Sequence, residues 1–139
     1  MTASAYDSNP YMTLGSLADV VRAELRVPDP DQNFLLRMIA QAISDYRALT
    51  TESDRGRFLA RPTSTGDRRW DAMLAAVAEH EARRSAYPIP EWVYDSAYVL
   101  SPWWFLSPTD SLRAYSLQHS APEFAVRNIF IDAASLESV

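Results

Sequence analysis

Nine prolines limit the length of every helix that this chain can form. A proline ring has no N–H to donate and clashes with the preceding helical turn, so a helix begins at a proline or ends before one. Pro28 and Pro62 end helical patterns in the first half of the chain. Between Pro88 and Pro108 no long helix is possible, and we expect short helical pieces over residues 91–98. The chain therefore divides into helices of limited length and one irregular segment.

Apolar residues at helical spacing predict four helices before Pro88. Each pattern follows a side chain that can accept hydrogen bonds from free backbone amides, as N-cap residues do. These N-caps are Thr13, Asp29 or Asp31, Thr51, and Asp67. On the fourth helix we expect Trp70, Met73 and Leu74 to face the core. The charged residues of that helix, including Glu79 and Glu81, are expected on a solvated face.

Two further helices and a short β-like run are predicted near the C-terminus. Ser107 to Asp110 has the pattern of a helix start and predicts a helix through Gln118. Ser120 to Glu123 repeats this pattern and predicts a shorter helix that ends near Asn128. Ile129 to Ile131 is the only β-like run and is too short to define a sheet by itself.

Together these patterns predict a mainly α fold. We expect a compact single-domain multi-helix bundle with an irregular Pro/Trp-rich segment and at most a short β element near the C-terminus. Residues 1–12 are expected to form a flexible tail and residues 13–139 a single helical domain. That domain divides into N-terminal helices at 13–61, a linker candidate at 62–66, and an aromatic and acidic half at 67–139.

Composition and motifs indicate a protein without catalytic, metal-binding or cofactor-binding residues. The chain has no Cys, its 13 basic residues are all Arg, and it has only 3 Gly, which excludes thiolate zinc sites, Schiff-base chemistry and glycine-rich phosphate loops. His80-Glu81 begins like a zinc-binding H-E-x-x-H helix, but Arg84 replaces the second histidine. No apolar run is long enough to cross a membrane, and the N-terminus lacks a signal-peptide pattern, so we expect a cytoplasmic protein.

An aromatic and acidic segment is the most informative feature of the sequence. Residues 67–139 carry 10 acidic residues against 6 Arg, and they contain most of the aromatic residues. Trp and Tyr dominate the energetics of protein interfaces, although at least half of these rings should belong to the core. We expect a partner-binding surface at Glu91, Trp92, Tyr94, Asp95, Tyr98, Trp103 and Trp104.

Arginines on two predicted helices favour a second interpretation, a DNA-binding transcriptional regulator. Arg55, Arg57 and Arg61 lie on one helix and its end, while Arg68, Arg69, Arg83 and Arg84 lie on the next. Binding to a phosphate backbone requires a surface with several unpaired cations. Acidic residues between these arginines nearly cancel their charge, and no helix-turn-helix is present, so this interpretation is the alternative.

A series of motifs runs through the second half of the chain: Ser64 to Asp67, Arg69 to Ala72, Leu74 to Ala76, Ala78 to His80, Pro90-x-Trp92, Trp104-Phe105, Ser111 to Ala114, Ser120 with Phe124, and Ile129 to Ala133. In this order the motifs resemble an actinobacterial family of small antitoxin-like proteins. Members of that family are encoded beside a nucleotidyltransferase-like toxin of the AbiEii type. Where the family tends to have an Arg-rich stretch and a Gly, this chain has Ala125 to Asn128.

The resemblance implies a noncatalytic antitoxin or immunity-like protein in a toxin-antitoxin system. Its partner would be the cognate nucleotidyltransferase-like toxin, with a basic cleft that the acidic aromatic half covers. Opposite charges would speed the encounter, and buried aromatic rings would slow dissociation.

Overall fold

The computed structural model describes residues 11–101, 103–106, 116, 119–132 and 136. These residues form a mainly α fold, as predicted. The α-helices are α1 (Leu14–Leu25), α2 (Gln32–Ala48), α3 (Glu52–Phe58), α4 (Arg68–Arg84) and α5 (Pro122–Ala125). Two 3-10 helices (Glu91–Tyr94 and Ser96–Tyr98) and two strands, β1 (Trp104–Phe105) and β2 (Ile129–Phe130), complete the described elements.

Four side chains start the first four helices at the predicted positions. Thr13 accepts a hydrogen bond from the Ser16 amide, and the Ser16 hydroxyl accepts one from the Thr13 amide, which forms a capping box. Asp31, Thr51 and Asp67 likewise accept hydrogen bonds from amides in the first turns of α2, α3 and α4. Each cap satisfies an amide that the helix itself leaves free. The predicted N-caps are therefore confirmed.

Helix α4 lies at the centre of the fold and is buried on nearly all sides. Helices α1, α2 and α5 and both 3-10 helices pack against it. Its middle turns, residues 72–78, are short or flexible apolar residues that let these neighbours approach closely. Glu79 and Glu81 are also buried, so their expected solvated position was wrong. Their burial requires charged partners, because an unpaired carboxylate is costly to remove from water.

Helix α4 ends with a left-handed residue that is not glycine. The Ala86 amide donates to the Arg83 carbonyl and the Tyr87 amide donates to the Ala82 carbonyl, which are the two bonds of a Schellman motif. Ala86 has φ 57° at the position that glycine usually occupies. This exposed alanine therefore stores backbone strain in the turn that leads to the irregular segment.

The segment at 62–66 is held against α1 and is not a free linker. Arg22 of α1 donates to the Ser64 carbonyl through Nε at 3.0 Å and to the Thr63 carbonyl through Nη2 at 3.3 Å. Thr65 is buried, and its hydroxyl donates to the Asp71 carboxylate at 2.7 Å. The expected linker therefore packs as part of the same core region as α1 and α4.

The two short strands form a parallel pair in which Trp104 lies opposite Ile129. The Trp104 amide donates to the Asn128 carbonyl at 2.8 Å, and the Leu106 amide donates to the Phe130 carbonyl at 3.2 Å. The β-like run is thus confirmed as a strand, and its partner lies in the Pro/Trp-rich segment. Helix α5 starts at Pro122 as its pattern predicts, but it ends at Ala125, before Asn128.

Several predictions fall outside the described residues. They are the flexible tail at 1–10, the helix start at 107–110, most of the helix through Gln118, and most of the closing residues after Asp132. Met12, expected in the tail, is described, and its amide donates to the Asp45 carboxylate of α2 at 2.9 Å. Residues 11–12 thus lie against the folded core.

Candidate partner-binding surface

The two 3-10 helices are attached to the core by aromatic residues. Trp92 is half-buried, and its indole Nε1 donates to the Leu59 carbonyl at 2.9 Å. Its ring meets the buried Tyr98 ring edge to face, with centroids 5.8 Å apart. The Arg61 guanidinium lies over the other side of Tyr98 at 5.6 Å from its centroid. These contacts fix the segment against the end of α3.

Trp104 is also a core residue. Its ring packs edge to face on Trp70 of α4, with centroids 5.0 Å apart. The Arg69 guanidinium covers it at 5.2 Å from the ring centroid. Because Tyr98 and Trp104 are both buried, neither offers a free surface to a partner. We therefore remove these two residues from the expected contact surface.

Tyr94 and Trp103 are the exposed aromatic residues of this segment, with 60% and 58% of their surface accessible. The Trp103 ring packs beside two other aromatic rings, with its centroid 5.2 Å from that of Phe130 and 6.2 Å from that of Phe105. The Tyr94 hydroxyl donates to the Glu79 carboxylate at 3.2 Å. Both rings are thus exposed and held in place before a partner arrives, which lowers the entropy cost of binding.

Two exposed valines that the sequence did not single out belong to the same region. Val99 and Val126 are 48% and 64% accessible. Leu100 follows Val99, and Arg127 follows Val126. The Leu100 amide donates to the Arg127 carbonyl at 3.1 Å, so the residues next to the two valines are hydrogen-bonded to each other. A lone valine beside an aromatic run carries no sequence signal, because its exposure depends on how distant segments pair. We call Tyr94, Val99, Trp103 and Val126 the apolar patch.

Arg127 connects the segments that carry the apolar patch. It is only 3% exposed, and it donates through Nη1 to the Glu79 carboxylate at 2.7 Å and through Nη2 to the Val93 carbonyl at 2.8 Å. A further bond reaches the Glu123 carbonyl at 2.6 Å. Each member of the patch is next in sequence to a residue that is hydrogen-bonded to Arg127 or Asn128. The backbone segments that carry the four exposed side chains are therefore joined through Arg127 and Asn128.

The other buried carboxylates are paired as well. Glu123 accepts from Arg83 Nε at 2.9 Å and is hydrogen-bonded to His80 Nδ1 at 2.9 Å. Glu81 holds Arg47 in a two-point contact, with both bonds at 2.9 Å. Burial raises the pKa of Glu123, but its hydrogen bonds with His80 and Arg83 and the electrostatic effect of His80 lower it below its usual range. These acids are therefore part of the interior.

Because these glutamates are buried and paired, the surface of the second half is less acidic than its composition suggests. Its buried glutamates are neutralised by arginines, so they do not contribute to an acidic surface. At the edge of the apolar patch, Glu91 is exposed, and Asp95 pairs with Arg61 at 3.2 Å. Among the expected contact residues, Glu91 is therefore the acidic one that forms no ion pair within the described part of the chain.

The described residues contain no group of three or more His, Cys, Asp or Glu that could hold a metal ion. His80 lines a small pocket with Arg47, Glu81 and Phe124, whose free space is about that of one water molecule. No described helix is long and apolar enough to cross a membrane.

The arginines that favoured DNA binding are largely ion-paired. Arg57 pairs with Asp54 at 2.9 Å, and Arg69 with Asp67 at 3.4 Å. Arg68 and Arg84 are exposed but lie at opposite ends of α4, about 24 Å apart along its axis. These two helices thus offer few free cations to a phosphate backbone.

No protein-family model matches the chain, and comparison with curated proteins and with solved structures finds no similar protein.

Proposed function

We propose that this protein is a noncatalytic binding protein of the antitoxin or immunity type, which neutralises a nucleotidyltransferase-like toxin through the apolar patch. The observation that supports the proposal is the position of the patch. Four of the six large apolar side chains exposed in the described residues are next in sequence to a residue that is hydrogen-bonded to Arg127 or Asn128. Exposed apolar residues are ordinary when scattered, whereas a group of them in one region is typical of an interface.

The patch also has the composition of an interface core with a polar edge. Tyr94 and Trp103 are the residue types that contribute most to binding, and the valines would exclude water around them. The exposed Glu91 would favour a basic rim on the partner and would act mainly on the rate of encounter. An interface of ordinary size, about 1,200 to 2,000 Å² in total, would extend beyond these residues.

The identity of the partner rests on the motif resemblance to the actinobacterial antitoxin-like family. On that basis the partner is the product of the adjacent gene, and both proteins act in the cytoplasm. We do not favour the alternative of a DNA-binding regulator, because most arginines of the two helices that suggested it are ion-paired.

The proposal is tested by coexpressing the chain with the product of its neighbouring gene and measuring copurification and affinity. We expect Trp103→Ala to weaken binding by at least about tenfold, since a central Trp contributes about 2 kcal/mol or more. Its unfolding free energy should fall by only about 1 kcal/mol, the value of its ring contacts with Phe130 and Phe105. Trp92→Ala should instead unfold more easily, because it loses packing and the bond to Leu59.

Two exposed valines provide a matched control. Val126→Asp places a charge in the apolar patch, while Val27→Asp places one on the loop after α1, at a valine that is also exposed. We expect Val126→Asp to abolish binding and Val27→Asp to leave it unchanged. Equal binding by both variants, or no complex with the wild-type chain, would contradict the proposal.

A further inference from the structure

A small pocket lies between α2, α4 and α5. Its wall includes Arg47 of α2, His80 and Glu81 of α4, and Ala121 and Phe124 at the start of α5. The free space inside is about that of one water molecule. The side chains of His80 and Arg47 are 27% and 22% accessible, so solvent reaches two of the side chains that form the wall. A small molecule can therefore enter the pocket.

One nitrogen of the His80 ring is already hydrogen-bonded. Nδ1 lies 2.9 Å from Glu123 Oε1, and the other oxygen of Glu123 accepts from Arg83 at 2.9 Å. The pKa of Glu123 is lowered, so its carboxylate is ionised near neutral pH and can only accept hydrogen bonds. The proton between His80 and Glu123 therefore belongs to Nδ1. In a neutral imidazole this leaves Nε2 as an acceptor.

A second acceptor lies close to Nε2. Glu81 Oε2 is 4.0 Å away, which is too far for a direct hydrogen bond. Glu81 is almost fully buried, and Arg47 holds both of its oxygens at 2.9 Å, which fixes the position of this carboxylate. In the part of the chain that the structure describes, no hydrogen bond reaches His80 Nε2. The pocket thus brings together two acceptors that need a donor between them.

A water molecule matches the distance between these acceptors. It has two O–H groups to donate, and two bonds of about 2.8 Å to atoms 4.0 Å apart make an angle of about 90° at its oxygen, close to its own bond angle. A zinc ion matches less well. Its bonds to nitrogen and oxygen are about 2.0 to 2.2 Å long, so they would have to be nearly collinear to span the same gap, whereas zinc prefers tetrahedral angles.

We propose that this pocket is a binding site for one water molecule, which donates to both His80 Nε2 and Glu81 Oε2. Buried waters of this kind satisfy polar groups that the protein alone leaves without partners. Glu81 and Arg47 join α4 to α2, while His80 and Glu123 join α4 to α5. The water connects these two links into one chain of hydrogen bonds across three helices. None of these residues belongs to the apolar patch, so the site stands independently of the antitoxin proposal.

Two NMR measurements on the chain labelled with ¹³C and ¹⁵N test the site. Long-range ¹H–¹⁵N spectra of the His80 ring report which nitrogen carries the proton, and we expect a protonated Nδ1 and a bare Nε2 at a pH where the spectra show a neutral ring. NOEs between water and the His80 Hδ2 proton report the bound molecule. Hδ2 is the useful probe because it neighbours Nε2 and is remote from the exchangeable proton on Nδ1. We expect a cross peak with the sign of a water that stays bound.

Two matched variants test whether the cross peak comes from this pocket. Ala121→Val adds two methyl groups to the pocket wall, so we expect it to displace the water and to remove the cross peak, while the Nδ1 bond remains. Ala125→Val makes the same change on α5 at a residue that is not part of this wall, and it should keep the cross peak. The wild-type spectra decide the proposal even if Ala121→Val does not fold.

A crystal structure of the wild type provides an independent measurement, in which we expect density for one oxygen within about 3 Å of both acceptors. The proposal is overturned by a wild-type His80 that carries a proton on Nε2 at every pH at which the chain is folded. It is also overturned if the wild type lacks the bound-water cross peak, or if the peak is equally strong in the two folded variants.

Discussion

Replacing Arg127 by methionine should destabilise the protein more than any change at an exposed arginine. The guanidinium is almost fully buried and binds one carboxylate and two carbonyls, at 2.6 to 2.8 Å. Methionine fills a similar volume but leaves these acceptors without donors. Breaking a buried ion pair from one side costs about 3 to 5 kcal/mol. Glu79 would still accept hydrogen bonds from Arg83 and Tyr94, so we expect the unfolding free energy to fall by about 3 kcal/mol, the lower end of that range.

Arg83→Met is the matched control. Arg83 also contacts Glu79 and Glu123, but its side chain is 55% accessible, so water can replace much of what it loses. We expect a clearly smaller loss of stability for this variant than for Arg127→Met. Urea unfolding, followed by tryptophan fluorescence and by circular dichroism, measures the unfolding free energies of both variants. A loss of a few kcal/mol is easily resolved, because native domains are stable by only about 5 to 15 kcal/mol.

A double-mutant cycle tests whether the cost comes from the ion pair itself. In an Arg127→Met chain, Glu79→Leu removes the uncompensated buried charge, so the double variant should be more stable than the sum of the single losses predicts. We expect a coupling free energy of at least about 1.5 kcal/mol. An additive cycle, or an Arg127→Met loss no larger than that of Arg83→Met, would refute the reasoning from burial and charge.

Three further predictions follow from local geometry. Ala86→Gly should raise the free energy of unfolding by about 0.5 to 1 kcal/mol, because glycine relieves the positive φ, and an unchanged urea midpoint would count against it. Gly56→Ala should lower stability and shift the Tyr87 ring resonances in NMR, since the new Cβ meets the hydroxyl at 2.8 Å. The pKa of Glu123 is lowered from 4.5 in the folded protein, so its ionised carboxylate stabilises the fold above pH 4.5, and this stabilisation is lost as the pH falls through the lowered pKa. The difference in unfolding free energy between the wild type and Glu123→Gln should therefore become smaller on acidification. A constant difference would contradict the assignment.

Local features of the fold could be predicted from the sequence, because the residues that decide them are close together in the chain. Thr13 and Ser16 cap α1 across three positions, and Thr51 caps α3 in the same way. The burial of Glu79 could not be predicted, since its partner Arg127 is 48 residues away. A carboxylate on a predicted helix is normally exposed, and only the tertiary structure supplies the compensating arginine.

The candidate surface was predictable in part for the same reason. Trp103 and Trp104 are neighbours of the same type, yet one is exposed and the other is buried on Trp70. Successive side chains of a strand point to opposite sides, but the side that faces the core depends on pairing with Ile129, 25 positions later. The segments that carry Val99 and Val126 are joined by the bond from the Leu100 amide to the Arg127 carbonyl, 27 positions later in the chain. The aromatic segment could therefore be found in the sequence, whereas which of its residues are exposed depends on the tertiary structure.

The long sequence separation between Glu79 and Arg127 has a consequence for synthesis of the chain. Helix α4 leaves the ribosome before Arg127 does, so Glu79 then lacks its buried partner and has only the exposed Arg83 of the same helix as a cation. A chain cut short before residue 127 therefore keeps a charged group in the middle of its central helix and cannot assemble the apolar patch around it. A chain without residue 127 also lacks the hydrogen bonds that join the segments of the apolar patch.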